Sequence, residues 1–266
     1  IGQPIVVESR PGASGNIGAE LCLQAPADGH TLLIQYSGYH VGNPNLYKNL
    51  RWSPLKDFTG VAMLVRAPHV VAVPGKLPVQ SLQQFIDFGR RNGKGLFYGS
   101  SGGGSIQDIA GALFGQATQI NATHVPYKGA ALALNDLVNG QIDMLITTPP
   151  SLMGHFAGGK VKLLAYTAAK RHPVLQNVPT SSEAGLPGYE VESWFAAFAA
   201  SATPKSVVDR ISAEMGKVVE SAAFRKRAEE QGAFASYMEP AALNEFVKTE
   251  LVAWAKVMRT ANIRLD

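Results

Sequence analysis

The stretch Leu96-Phe97-Tyr98-Gly99-Ser100-Ser101-Gly102-Gly103-Gly104-Ser105 decides the fold class of this chain. Its first three residues are bulky and largely apolar, which predicts a β-strand, and the glycine-rich residues after them predict a loop. Ser105 stands three positions before Asp108, a spacing typical of a helix start. Strand-like and helix-like runs alternate in the same way along all 266 residues. This order predicts an α/β fold with parallel strands rather than separate α and β regions.

Further elements follow on both sides of this stretch. We predict strands at residues 4–8, 31–35, 59–65, 69–73, 96–98, 123–125, 142–146, 161–166 and 194–199, and helices at residues 16–25 and 130–138, from Ser81, and from Thr203 as N-cap before Pro204. The extended segments 69–73 and 194–199 are interpreted as two crossings. The chain is therefore predicted to form one lobe from residues 1–72 plus 194–266 and another from residues 73–193.

Composition excludes several classes of protein. Hydrophobic residues make up 46% of the chain, enough for one large core or two smaller ones, and no run of 18 apolar residues predicts a membrane-spanning helix. The net charge is only +4 and the basic residues are scattered, which argues against nucleic acid as a partner. One cysteine and six histidines without ligand spacing predict neither a disulfide framework nor a metal site. We expect no cofactor.

Two glycine-rich turns, at residues 10–15 and 99–105, lead from a predicted strand into a predicted helix. A helix N-terminus carries partial positive charge and unpaired N–H groups, so each turn is expected to hold a carboxylate or phosphate. Thr147 and Thr148 follow another predicted strand, and Tyr127 occupies a similar position. Ligands of open α/β sheets bind at such strand ends. The dinucleotide and P-loop patterns are incomplete, because the expected acid and Gly-Lys-Ser/Thr are missing.

One enzymatic alternative stays open. Gly99-x-Ser101-x-Gly103 satisfies the pattern of the nucleophile elbow in α/β-hydrolases. Asp136 or Asp143, followed by His155 or His172, would complete a triad in the usual chain order. This alternative predicts an esterase with Ser101 as its nucleophile.

Several segments together resemble the periplasmic solute-binding proteins of the tripartite tricarboxylate transporters, also called Bug proteins. The segments lie at residues 6–19, 28–33, 43–47, 98–105, 124–129, 136–143, 178–183 and 187–190, in the family's order and spacing. The resemblance covers nearly the whole chain. It implies a two-lobed clamshell similar to type II periplasmic binding proteins, with two mixed or parallel sheets flanked by helices and two crossover strands as its hinge.

The resemblance also implies a function. The chain would bind a small carboxylate between its lobes without catalysis and deliver it to the membrane permease subunits of the transporter. A sensor that binds the same ligand without transporting it is an alternative. We expect a periplasmic monomer, with a signal peptide outside the given residues. The ligand-binding residues implied are Ser37, Gly38, Tyr39, Ser101, Gly102, Gly103, Gly104, Ser105, Tyr127, Thr147, Thr148 and Phe195.

Two departures from the family pattern affect these expectations. The family's first strand, its glycine loop and the following helix have no counterpart here, so we expect further residues before Ile1. Asp108 stands where the family usually has a histidine. If its carboxylate faces the cleft, it would disfavour a purely anionic ligand there and favour one with an amino or neutral group.

Overall fold

The computed structural model describes Gly2, residues 4–10 and residues 12–261. Pro11, part of the first glycine-rich turn, and residues 262–266, at the end of the first predicted lobe, lie outside the described residues. The strands are β1 (Leu33–Tyr36), β2 (Phe58–Pro68), β3 (Val70–Pro74), β4 (Leu96–Ser100), β5 (Ala122–Pro126), β6 (Met144–Thr147), β7 (Val161–Tyr166), β8 (Glu192–Ala200) and β9 (Phe234–Met238).

The α-helices are α1 (Asn16–Gln24), α2 (Asn43–Leu46), α3 (Leu82–Arg91), α4 (Ile106–Thr118), α5 (Ala130–Asn139), α6 (Met153–Ala157), α7 (Lys205–Val219), α8 (Ala222–Glu230) and α9 (Pro240–Ala261). Ser81 and Ser105 cap α3 and α4, because their hydroxyls accept the N–H groups of Gln84 and Asp108. The expected cap at Thr203 is wrong. Pro204 takes the cap position of α7 without a side-chain hydrogen bond, since its fixed φ already suits the helix entry.

The strands form two sheets, in the orders β1-β8-β2-β9 and β5-β4-β6-β3-β7. The predicted α/β class is confirmed, but the strand directions differ from the expectation. Strands β4, β5 and β6 run parallel, whereas every pairing in the first sheet is antiparallel. The reason is that β8 enters the first sheet on the chain's return and inserts between β1 and β2, opposite in direction to both.

The chain passes between the sheets twice. It leaves the first sheet between Pro68 and Val70 and returns between Tyr166 and Glu192. We call each sheet with its packed helices a lobe: lobe one holds the first sheet with α1, α2 and α7–α9, and lobe two holds the second sheet with α3–α6. The boundaries at residues 72/73 and 193/194 remain a prediction.

The strand expected at residues 4–8 is wrong. Residues 4–10 form no regular element, and Ile5, Val6 and Val7 are 80%, 80% and 90% exposed. A β-strand needs a neighbour for its backbone hydrogen bonds, and no described strand pairs with this segment.

Each lobe has its own apolar core. In lobe one, Trp194 and Phe198 of β8 pack with Trp52 and Met63. In lobe two, cores lie on both faces of the sheet, one around Phe85 and Phe114 and the other around Leu137 and Tyr166. None of the helices in the described part of the chain is long and apolar enough to cross a bilayer.

Candidate functional site

The loops that follow β1 and β4 meet at the start of helix α4. A Cβ atom on Gly38, in the loop after β1, would lie 2.5 Å from Cε1 of Tyr36 and 3.0 Å from Cγ1 of Ile106, the first residue of α4. Gly38 belongs to lobe one and Ile106 to lobe two. The absence of a side chain at Gly38 thus lets the two lobes touch at the N-terminus of a 13-residue helix.

The glycine-rich loop before α4 is held by its own hydrogen bonds. The N–H of Gly102 donates to Oγ of Ser100 at 3.0 Å, and the N–H of Ser105 donates to the carbonyl of Gly102 at 3.2 Å. The N–H of Gly104 donates to Oδ2 of Asp108 at 2.8 Å. The helix start was expected to offer unpaired N–H groups, but those of Gly102, Gly104 and Ser105 are paired within the turn and fix its shape.

Asp108 anchors this loop. It is only 5% exposed, and its Oδ1 accepts the hydroxyl of Tyr98 at 3.0 Å and lies 3.3 Å from Nδ1 of His124. Its carboxylate is thus bound within lobe two. The expected effect on the ligand's charge has no support in this geometry, because every recorded partner of the carboxylate belongs to lobe two itself.

Ser100, His124 and Asp108 form a hydrogen-bonded series similar to a catalytic triad. His124 Nε2 lies 2.6 Å from Oγ of Ser100, and its Nδ1 faces Asp108. Burial lowers the pKa of His124 below its usual value, and the nearby charge of Asp108 offsets this effect only in part. A serine nucleophile must be reachable by its substrate. Ser100 is fully buried and cannot meet a substrate. The bonds among Ser100, His124 and Asp108 therefore hold the glycine-rich loop in place.

The hydrolase alternative required Ser101 as the nucleophile. Its hydroxyl donates to Oε1 of Gln107 at 2.7 Å rather than to a histidine. His172, one of the two proposed bases, is fully buried beside the carbonyl of Ala233. In the described part of the chain, Ser101 therefore bonds to an amide oxygen, whereas the nucleophile of a triad bonds to a general base such as histidine.

Thr147 lies close to the glycine-rich loop. Gln107 joins the two, since its Nε2 donates to Oγ1 of Thr147 at 3.3 Å while its Oε1 accepts Ser101. Thr148 is half-buried, and its carbonyl accepts the hydroxyl of Ser151 at 3.1 Å. The two threonines therefore differ, because only Thr147 is tied to the loop.

Tyr127 flanks the same loop from β5. Its N–H donates to the carbonyl of Ser100 at 3.2 Å, and its hydroxyl donates to Oδ2 of Asp136 at 2.7 Å. Burial and Asp136 raise the pKa of Tyr127 to about 12. With its hydroxyl occupied by Asp136, this residue offers the cleft only its ring.

On the lobe-one side, aromatic rings from the end of β1, from the turn after it and from β8 form a compact group. The Ser37 hydroxyl accepts the N–H of Trp194 at 3.1 Å and is buried. The ring of Tyr36 lies 5.2 Å from Tyr39, edge-on, and 5.6 Å from Phe195. Tyr39 and Phe195 are among the residues predicted from the sequence, whereas Tyr36, directly after the predicted strand at residues 31–35, is not.

The first glycine-rich turn also borders this group. Gly15 has a φ of +80°, and a Cβ there would lie 2.5 Å from the Tyr39 ring. The carbonyl of Ser14 accepts the Asn43 side chain at 2.8 Å, and its hydroxyl accepts Tyr47 at 3.0 Å. These bonds hold the turn against α2.

The two crossings are tied together beside the aromatic group. His69 Nε2 lies 2.7 Å from Oγ of Ser193, and the His69 N–H donates to Oγ1 of Thr167 at 2.9 Å. The hydroxyl of Thr167 lies 2.6 Å from the carbonyl of Val191. His69, Thr167 and Val191 lie on the segments that pass between the sheets, and Ser193 is the second residue of β8; we call these four residues the hinge cluster.

Two surface depressions, of about 310 and 290 Å³, lie away from these loops. Arg51 and Asp57 line the first, and Arg225 and Phe234 line the second. Within the described ranges, no group of three or more His, Cys, Asp or Glu side chains is arranged to hold a metal ion. The meeting point of the lobes at α4 is therefore the candidate site.

Comparison with known proteins agrees with this architecture. The chain is similar to R. palustris Rpa4515, solved with adipate, at 36% identity and a TM-score of 0.94, over 99% of this chain and 89% of that one. It is similar to the periplasmic binding protein BugD at 30% identity and a TM-score of 0.89, over 98% and 88%. MatC from Rhodopseudomonas palustris, solved with bound malate, gives 31% identity and a TM-score of 0.85, over 96% and 88%.

The resemblance to Bug proteins and the two-lobed fold predicted from the sequence are thus confirmed. Residues 1–263 match the family described as "Tripartite tricarboxylate transporter family receptor" (TctC). That match covers nearly the whole sequence, and the members of this family are receptors that bind solutes. The chain therefore belongs to the tripartite tricarboxylate transporter family of receptors.

Proposed function

We propose that this receptor captures a small carboxylate between its two lobes and delivers it to the membrane permease subunits of a tripartite tricarboxylate transporter. The observation that carries the proposal is the contact of Gly38 with Ile106, which brings both lobes to the N-terminus of α4. A helix N-terminus stabilises an anion through its dipole and its terminal N–H groups. Relatives solved with adipate and malate support a carboxylate as the ligand.

We propose that the binding residues surround this contact. They are Ser37, Gly38 and Tyr39 with Phe195 in lobe one, and Ser101, Gly102, Gly103, Gly104, Ser105, Tyr127, Thr147 and Thr148 in lobe two. A ligand that touches both groups only when the lobes are closed shifts the protein toward that form. We propose that residues 1–72 plus 194–266 and residues 73–193 move as the two halves of the clamshell.

Binding is tested by thermal unfolding of the purified protein against a panel of C4 to C6 dicarboxylates, citrate, acidic amino acids and aromatic acids. A ligand at 100 times its Kd stabilises the folded state by about 2.7 kcal/mol. We expect a rise in Tm with one or two of these acids, confirmed by calorimetric titration. No rise with any acid, together with hydrolysis of an activated ester that Ser101→Ala abolishes, would contradict the proposal in favour of an esterase.

Delivery requires a second experiment. We propose that the receptor works in the periplasm as a monomer and that uptake of the bound acid depends on it. Uptake of the labelled acid by cells that carry the permease is measured with and without the receptor. Binding without receptor-dependent uptake would indicate a sensor instead.

A further inference from the structure

A hydroxyl group without a partner lies where the two lobes meet. In the described part of the chain, Oη of Tyr36 is one of five buried side-chain polar atoms that make no hydrogen bond, and it is the one beside the start of α4. Leaving such a group unpaired costs about 1–3 kcal/mol. A buried donor in a binding cleft is therefore expected to find its partner in a ligand.

The surroundings of this hydroxyl place it at the anion-binding end of α4. The Tyr36 ring and Ile106 both pack against Gly38. Burial raises the pKa of Tyr36, and the Ser193 side chain and the Ile106 N–H, which face its oxygen, offset this effect only in part. The phenol of lobe one thus points toward the first N–H group of a lobe-two helix. Two donors, O–H and N–H, converge there.

Ser193 links Tyr36 to the hinge. Its Oγ lies 2.7 Å from Nε2 of His69, and both residues are buried. Ser193 therefore lies between His69 and the phenol of Tyr36.

The rings around the hydroxyl define the space next to it. Tyr36 pairs directly with Phe195 across β1 and β8, and Tyr39 meets the Tyr36 ring edge-on. All three residues are only partly buried. Their faces offer apolar contact, and a ligand hydroxyl or ammonium group lying against them would lose hydrogen bonds to water.

We propose that the Tyr36 hydroxyl donates a hydrogen bond to the ligand's carboxylate at the start of α4, while the rings of Tyr36, Tyr39 and Phe195 pack against the rest of the ligand. The receptor then prefers carboxylates with a hydrocarbon chain or ring over those that carry hydroxyl or amino groups. This inference rests on the proposed function and names the substrate class of that same site.

The test measures the Kd of adipate and of malate by calorimetric titration, for the wild type and two variants. Tyr36→Phe removes only the hydroxyl and is expected to weaken adipate binding about 10-fold, while the ligand-free variant is at least as stable as the wild type. Phe195→Leu is expected to weaken adipate binding more than malate binding. Tyr237→Phe is the matched control, because this hydroxyl, 2.9 Å from Ser212, lies between β9 and α7; it should leave both Kd values unchanged.

The outcomes separate this inference from the proposed function. Unchanged adipate affinity in Tyr36→Phe would mean that water rather than ligand pairs with the hydroxyl, and would overturn the inference. Tighter binding of malate than of adipate by the wild type would overturn the proposed selectivity. If the wild type binds none of the acids in the panel, the proposed function itself fails, and the role of Tyr36 fails with it.

Discussion

Nε2 of His69 lies 2.7 Å from Oγ of Ser193, although the two residues are 124 positions apart. His69 stands on the first passage between the sheets, and Ser193 is the second residue of β8, directly after the return passage. Thr167, which follows β7, completes the group with bonds to His69 and Val191. The two crossings therefore meet at one buried cluster.

Replacing Thr167 by valine tests how strongly this cluster holds the protein together. Valine has nearly the same shape as threonine but lacks the hydroxyl. The His69 N–H loses this acceptor, and the Val191 carbonyl loses this donor. Since Thr167 is 1% exposed, we expect the free energy of unfolding to fall by about 1–3 kcal/mol, measured by urea denaturation. Thr249→Val, on the exposed face of α9, is the control and should change it by less than about 0.5 kcal/mol. Equal effects would contradict the role of the cluster.

Stability is expected to fall as the pH falls. Burial lowers the pKa of both His40 and His69 to about 3, below the usual value of about 6.5. The unfolded chain therefore takes up these protons first, and the stability present above about pH 6.5 is lost toward pH 3. Each histidine contributes a slope of up to about 1.4 kcal/mol per pH unit.

The histidine contribution is isolated by comparing variants between pH 6 and pH 4. His40→Phe should reduce the slope of unfolding free energy against pH by up to about 1.4 kcal/mol per unit. His30→Gln replaces an exposed histidine and should leave the slope unchanged. If His40→Phe has the wild-type slope, His40 is not the neutral buried group inferred here.

Asp108→Asn tests the anchor of the glycine-rich loop. The two carboxylate oxygens of Asp108 accept hydrogen bonds from the Gly104 N–H and the Tyr98 hydroxyl, and one of them lies beside His124. Asparagine has only one oxygen, so it cannot accept all of these bonds. We expect carboxylate affinity to fall about 10-fold, because the loop before α4 loses its fixed shape. Calorimetric titration measures the change, with Asp209→Asn on the exposed side of α7 as control. Wild-type affinity in Asp108→Asn would show that the loop holds its shape without this anchor.

Gly38→Ala tests the contact between the lobes. The added methyl group would lie 2.5 Å from the Tyr36 ring and 3.0 Å from Ile106, so it should keep the lobes apart. We expect at least a 10-fold loss of ligand affinity and a larger radius of gyration in the presence of ligand, measured by small-angle X-ray scattering. Gly93→Ala adds a methyl group into open space and is the control. A variant that closes and binds normally would place the ligand away from Gly38.

The sequence predicted those parts of the site that local patterns specify. The loop at residues 99–105 stands out because several glycines separate a strand from a helix cap, and Ser105 caps α4 as expected. Tyr36 was not predicted because its contact with Phe195, 159 positions later in the sequence, depends on strand pairing. The strand at residues 4–8 was predicted wrongly, because a run of β-branched residues cannot reveal whether a neighbouring strand exists.

The position of β8 has a consequence for how the molecule assembles. Lobe two takes all its strands from one continuous segment, whereas lobe one has β8 at its centre, between two strands from the beginning of the chain. Contacts between distant segments form slowly, because the loop that joins them must first close. We therefore expect the sheet of lobe two to form without the rest of the chain. The pairing of β1 and β2 with β8 requires the chain as far as Ala200.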